Sequence, residues 1–289
     1  MGISITDLKT IFESANKGYF DGMKNVLDMG AQEIHIKKND FIKIAESYGY
    51  KVNLKDFPNI DKDNWPAQPR DSSSNLWKML GFELAECSDV NTLHSPIFLN
   101  LNEPLNNKDL EGKYDLVTDV GNNEHPFNAG EAYRTMHRLC KKDGLLFIHQ
   151  NIFGGNGFYN MDISFFECMA AVNNYEILTS YFILLLPDDK GDHLRVPLST
   201  ALLEVIDLNK VRTLGIGYLL RKKTEKDFIF PIQNYGELKK YTTYVSNISP
   251  ETTHLGISQK RAYIPSELNP SFAELVKMLL QKIKKKLLK

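Results

Sequence analysis

Three cysteines in 289 residues, Cys87, Cys140 and Cys168, stand far apart with no CxxC pair among them. That spacing excludes a disulfide framework and a thiolate zinc site, and fits reduced, buried thiols in a cytoplasmic protein. Long apolar runs are missing too: the longest, Tyr181 to Leu186, is far below the roughly 20 residues that span a bilayer. Met1 to Asp7 has neither a basic start nor a long apolar stretch, so no signal peptide is expected. Neither sign of charge is in excess, with 35 Lys and Arg against 36 Asp and Glu. No overall field therefore draws the chain to nucleic acid. A GxGxxG fingerprint is absent, and Gly215-Ile216-Gly217 falls in an expected strand with no phosphate-binding helix behind it. This argues against an NAD-type oxidoreductase. His35, His94 and His137 lack metal-ligand spacing, so no metal is expected.

What is present is an ordinary globular composition, 42% apolar and 25% charged, with strand and helix patterns in alternation. Helices are expected over Thr6 to Asn16, Asp40 to Ser47, Leu76 to Leu80, Ala129 to Cys140 and Ile163 to Val172. Strands are expected over Lys24 to Met29, Phe82 to Val90, Ile97 to Leu101, Tyr114 to Val120, Leu145 to Gln150, Ile177 to Leu186 and Gly215 to Lys222. Lys141-Lys142-Asp143-Gly144 reads as a helix stop, basic residues followed by glycine. The alternation predicts an α/β fold, a mostly parallel sheet with helices on both faces, over residues 1–222. The polar, proline-broken stretch 48–74, which carries Trp65, is expected to be a lid-like insertion.

Residues 223–289 are expected to form a C-terminal extension that ends in a helix. Ser271-Phe272-Ala273-Glu274 supplies its capping box, and an apolar stripe through Leu275 and Leu279 opposes a lysine-rich face. With few aromatics on that stripe, packing on its own domain is favoured. The alternative is weak contact with the anionic inner face of a membrane or with a partner protein.

In an open α/β sheet the ligand sits beyond the carboxyl ends of the strands. Those ends carry Asp28 and Gly30, then Asp89, Asn100, and Asp119, Gly121, Glu124 and His125. A carboxylate after the second strand suits a ribose diol, since it accepts from both hydroxyls. Glu33, just after Gly30, would repel a pyrophosphate. A cofactor with a ribose, an adenine and a positive centre fits better than a dinucleotide.

At these residues the chain resembles the class I S-adenosylmethionine-dependent methyltransferases. Val26 to Glu33 resembles their first motif, with Gln32 where a second glycine would stand. Asp89 resembles the ribose acid, Asn100-Leu101 lies where adenine is contacted, and Tyr114 to Asp119 with Gly121 to His125 resembles the fourth strand and its loop. Asp143 to Ile148 resembles the entry to the fifth strand, and the ordered set runs over about residues 20–220. The resemblance implies a Rossmann-like methyltransferase sheet and S-adenosylmethionine as cofactor, held by Asp28, Gly30, Gln32, Asp89, Asn100, Leu101, Asp119, Gly121 and Glu124. Phe127-Asn128 and Gly157 to Asn160 are similar to elements of a bacterial subgroup associated with surface-polysaccharide or secondary-metabolite biosynthesis.

Transfer to a sugar or other small-molecule hydroxyl is the activity implied, in capsule or surface-polysaccharide assembly. His125 is the first candidate for general base and His149 the second, because a histidine titrates near neutral pH. Tyr159 and Asn160 either line the acceptor pocket or cap the following helix. The loop after the fourth strand lacks the Asn/Asp-Pro-Pro-aromatic sequence of nucleic-acid amino methyltransferases, which favours an oxygen acceptor. The missing glycine supports an alternative, an inactive methyltransferase fold serving as scaffold or partner subunit. Taken singly, Asp28 and Asp89 would also serve as strand ends that bind nearby amides.

Overall fold

The structure is a computed structural model and describes residues 2–57, 72–91, 94, 96–186, 194–199, 203 and 206–232. Most of the expected insertion, including Trp65, and the tail with its terminal helix lie outside the described residues.

Strand β1 (Gly2–Ile3) leads into helix α1 (Ile5–Asn16). Ser4 caps that helix reciprocally: its Oγ accepts from the Asp7 amide at 3.3 Å, and Asp7 accepts from the Ser4 amide at 2.9 Å. Then follow β2 (Asn25–Met29), β3 (Glu33–Ile34), α2 (Lys38–Ser47), α3 (Ser74–Met79), β4 (Leu84–Asp89) and β5 (Ile97–Phe98). The second half runs through β6 (Tyr114–Val120), α4 (Ala129–Leu139), β7 (Cys140–Phe153) and α5 (Ile163–Val172). It closes with β8 (Tyr175–Leu185), β9 (Leu194–Pro197) and β10 (Thr213–Lys222).

Eight strands form one sheet in the order β5-β4-β2-β6-β7-β10-β8-β9. From β5 to β7 every pairing is parallel, whereas β10 runs antiparallel to both neighbours and β9 antiparallel to β8. The chain builds outward from β2 to β4 and β5, then crosses back to β6 on the other side. The switch point, where such sheets bind ligands, therefore lies between β2 and β6. A separate parallel pair, β1 with β3, lays the N-terminal residues beside the segment that follows β2.

Burial on both faces follows from alternation along the strands. Val26, Leu116, Leu145 and Phe147 face a cluster with Ile11, Phe12, Phe41 and Trp77. Their neighbours Leu27, Val117, Leu146 and Ile148 face the opposite cluster, with Tyr133, Met136 and Phe166.

Two expected elements differ. The strand expected over Ile97 to Leu101 stops at Phe98, which leaves Asn100 and Leu101 in the loop behind it. Lys141 to Gly144 does not stop a helix: α4 ends at Leu139 and these residues already belong to β7. Cys140 pairs with Tyr114, and Asp143 turns the strand with φ at +60°. A Cβ on Gly144 would come within 2.8 Å of the Asp115 carbonyl, so only glycine fits the approach. Among the described residues no helix is long and apolar enough to cross a membrane.

Candidate functional site

Gly30, at φ +82°, turns the chain sharply off the end of β2. The turn drives the side chain of Gln32 back into the switch point. Its Nε2 donates to the Met29 carbonyl at 3.0 Å and to the Val120 carbonyl at 3.3 Å, bridging the ends of β2 and β6. Its Oε1 is buried and has no hydrogen-bond partner among the described residues.

Beside it, the amide of Ala31 donates to Asp89 Oδ2 at 2.8 Å, while Oδ1 accepts from the amides of Val90 at 2.7 Å and Asn91 at 3.1 Å. Asp89 therefore joins the end of β4 to the loop after β2. Phe98, its register partner in β5, is 71% exposed. Glu33 is turned toward His35 and His94, at 3.4 and 3.3 Å.

Asp28 is buried under α3. Its carboxylate accepts from Ser73 Oγ, from Thr118 Oγ1, and from the Trp77 indole at 2.9 Å. Burial pushes its pKa up, and these three donors offset part of that cost. The residue expected to meet a cofactor thus locks β2, β6 and α3 together.

On the other side of the switch point, Asp119 is fully buried at the end of β6. It accepts from the amides of Asn122 and Asn123, each at 3.0 Å, and from Gln150 Nε2 at 2.6 Å. Burial pushes its carboxyl up to about 7 despite these donors. Gly121 follows at φ +67°, with open space where a Cβ would stand. Glu124 is also buried, and its carboxylate accepts from the Asn151 amide and side chain, both at 3.2 Å.

A cavity of about 300 Å³ opens here, lined by Gly121, Glu124, His125, His149, Asn151 and Gly215 among others. His149 pairs in register with Val120, so it sits at the carboxyl edge of the sheet. Its Nδ1 lies 2.8 Å from Oδ1 of Asp7, which α1 carries in from the far end of the sequence. The side chain of His125 is 40% exposed, and its nearest carboxylate among the described residues, Glu124, is 3.9 Å away.

Tyr159 and Asn160 are tied into loop structure. The Tyr159 hydroxyl donates to the Phe127 carbonyl at 2.6 Å, and Asn160 Oδ1 accepts from the Gly155 amide at 3.3 Å. Gly157 packs so closely on Glu124 that a Cβ would meet its Cγ at 2.6 Å. Asn100 is occupied by Asn102 and Glu103, and Leu101 packs on the core.

No family model matches the chain, and no curated protein does. Solved structures do. A protein from Bacillus halodurans named as a candidate methyltransferase is 12% identical at a TM-score of 0.40, with 76% of this chain and 100% of that one covered. A SAM-dependent methyltransferase from Archaeoglobus fulgidus is 10% identical at 0.37, with 74% and 94% covered. The [4+2]-cyclase SpnF is 12% identical at 0.37, with 74% and 80% covered. The strand order itself sets the fold class, because an antiparallel strand, β10, separates β7 from β8 where a dinucleotide-binding sheet continues parallel. The fold is a Rossmann-like α/β sheet, mostly parallel, with β10 and β9 running antiparallel to their neighbours.

Within that fold the expected residues divide. Gln32, Asp89, Gly121, Glu124, His125 and His149 gather at the carboxyl edge around the switch point, whereas Asp28 and Asp119 point into protein. Sequence reasoning missed Asp7, Asn151 and Phe98. Asp7 fell inside the expected helix Thr6 to Asn16, and nothing in the sequence tied it to His149. Among the described residues no group of histidine, cysteine and acidic side chains is arranged to hold a metal.

Proposed function

We propose that this chain binds S-adenosylmethionine across the switch point and methylates a hydroxyl of a sugar or other small molecule. The observation that carries the reading is the layout of the carboxyl edge. An acid beside an exposed aromatic ring, Asp89 with Phe98, lies on the β4 side of Gln32. A cavity with Glu124 and two histidines lies on the β7 side.

The residues fit the cofactor. Among the described residues Gln32 Oε1 is a buried acceptor lacking a donor, and an ammonium group would supply one. A carboxylate has about four lone-pair sites, so Asp89, with three amide donors, keeps one for a ribose hydroxyl. Phe98 and Val90, both well exposed, offer apolar surface for an adenine ring. When bound, the cofactor supplies a methyl group on a positively charged sulfur that leaves with the bonding electron pair. The protein's remaining task is to position the acceptor and take its proton. Calorimetry with S-adenosylhomocysteine tests the reading: saturable binding that Asp89→Ala weakens is expected, and no binding ends it.

A second reading, an inactive fold acting as scaffold, is favoured by one observation. The Gln32 side chain already spans the crevice between β2 and β6. Methyl transfer to any acceptor rules it out.

A further inference from the structure

We infer that the amino edge of the sheet, remote from the switch point, carries a second binding site, one for a small phosphate monoester. A cavity of about 690 Å³ opens there between the last turns of α4, the first residues of β7 and the end of β10. Arg134, Arg138, Lys141, Lys142, Lys222 and Lys226 line it. Strand β7 starts at this cavity with Cys140 and reaches the other one at Asn151, so the two cavities lie at opposite ends of one strand.

Lys222 is the decisive residue. It is only 6% exposed, yet among the described residues its ammonium meets no carboxylate. Two of its three protons go to the carbonyls of His137 and Cys140 at the end of α4, each at 2.8 Å. Those carbonyls cap the charge without neutralising it. Burial lowers the pKa of Lys222, as expected for a cation short of a counter-charge. A buried charge is costly unless it is paired, and the third proton is available to an anion in the cavity that the residue lines.

The neighbouring charges select the ligand. Arg138 pairs with Glu111, Arg134 with Asp227 at 3.1 Å, and Lys141 with Asp115 at 2.9 Å. Among the described lining residues this leaves the ammonium groups of Lys142, Lys222 and Lys226 with one carboxylate, Glu225. That surplus matches a dianion. A phosphate monoester carries about −1.5 to −2 at pH 7 and offers three acceptor oxygens. His137 adds no charge at neutral pH, because burial pushes its pKa down to about 4. It fixes the wall instead, with Nδ1 2.6 Å from the Tyr175 hydroxyl and Nε2 2.9 Å from the Lys226 carbonyl. The volume is that of a small-molecule site and leaves room for the esterified group. The site is independent of the methyltransferase reading.

Calorimetry on the full chain tests it, with inorganic phosphate, glucose 1-phosphate, glycerol 3-phosphate and adenosine 5′-monophosphate as probes at low ionic strength. Saturable binding of at least one ester, tighter than inorganic phosphate and weakened by added salt, is expected. Lys222→Gln removes the charge but keeps an amide to donate to the carbonyls, and should weaken binding by about 30-fold or more. Lys142→Glu combined with Lys226→Glu reverses two exposed charges and should weaken it by about tenfold or more. Lys9→Glu combined with Lys43→Glu, exposed positions on α1 and α2, controls for net charge and should leave it within about 2-fold. Affinity for S-adenosylhomocysteine should stay within about 2-fold in all of these variants, since the two sites share no residue.

No saturable binding of any of the four probes overturns the inference. So does binding that survives the Lys142 and Lys226 reversals, or that falls as much in the control pair. Full affinity in a folded Lys222→Gln protein overturns the role of the buried ammonium, and if that variant does not fold, the exposed pair judges the site by itself. Inorganic phosphate bound as tightly as every ester overturns the monoester assignment. Failure to bind S-adenosylhomocysteine overturns the methyltransferase reading and leaves this site standing.

Discussion

Nδ1 of His149 lies 2.8 Å from Oδ1 of Asp7, a residue 142 positions earlier in the chain. The contact fastens the first turn of α1 to the carboxyl edge of β7. The same carboxylate that caps the helix also sets the orientation of an imidazole on a cavity wall.

This pair makes stability depend on pH. Burial works against a charged ring, but the Asp7 carboxylate and its hydrogen bond, with Glu124 and Asp119 farther off, hold the pKa of His149 above 6.5. A base raised in the folded state adds stability that is complete below its unfolded pKa and disappears as pH rises through the folded value. His149→Gln should therefore cost more stability at about pH 5.5 than at about pH 9. Urea midpoints of both proteins at the two pH values check this, and an equal loss at both would show that the ring carries no charge.

Trp77 closes the enclosure around Asp28, with its indole nitrogen 2.9 Å from Oδ2. Trp77→Phe removes that donor from a buried carboxylate and is expected to lower stability by about 1–3 kcal/mol. Affinity for S-adenosylhomocysteine should change far less, since Asp28 serves packing. Denaturation and calorimetry on the same variant separate the two effects.

Gln32 holds the switch point. In Gln32→Ala the carbonyls of Met29 and Val120 lose their shared donor, and an ammonium group loses its acceptor. S-adenosylhomocysteine affinity should fall about tenfold, the worth of roughly one hydrogen bond. Tighter binding in this variant would instead identify the side chain as a plug and favour the scaffold reading.

Asp119 gives the opposite kind of signal from an ordinary surface acid. Burial lifts it from 3.8 to about 7. A carboxyl raised on folding contributes stability that is whole below its unfolded pKa and is lost as pH climbs through the folded one. The wild-type protein should thus lose stability between about pH 4 and about pH 7 from this group, and Asp119→Asn should flatten that stretch of the profile. Thermal melts across the range would show it, and an unaltered slope would mean that Asp119 is ionised throughout.

Much of the frame was legible in the sequence. Tyr114–Val120 and Ile163–Val172 have the bounds that alternation and helical spacing predict, because each is an apolar run ended by clear turn or cap residues. The short pair Gly2–Ile3 with Glu33–Ile34 was not legible, since two residues carry no period. Lys141 to Gly144 misled because basic residues before a glycine mark a helix end locally, while pairing of Cys140 with Tyr114 draws the same residues into β7. At the site, the sequence brought out the acids and histidines at strand ends but not which way they face.

Alone, the sequence determined the helices and most of the longer strands of the main sheet, the absence of a dinucleotide loop, and the set of polar residues at the carboxyl edge. Those features are local, written in spacing and residue type. Tertiary structure decided that Asp28 is sealed beneath Trp77, that Gln32 spans β2 and β6, and that Asp7 faces His149. Each depends on which distant side chains burial brings within hydrogen-bond reach. A carboxylate at a strand end has the same local signature whether it meets a ligand or an indole.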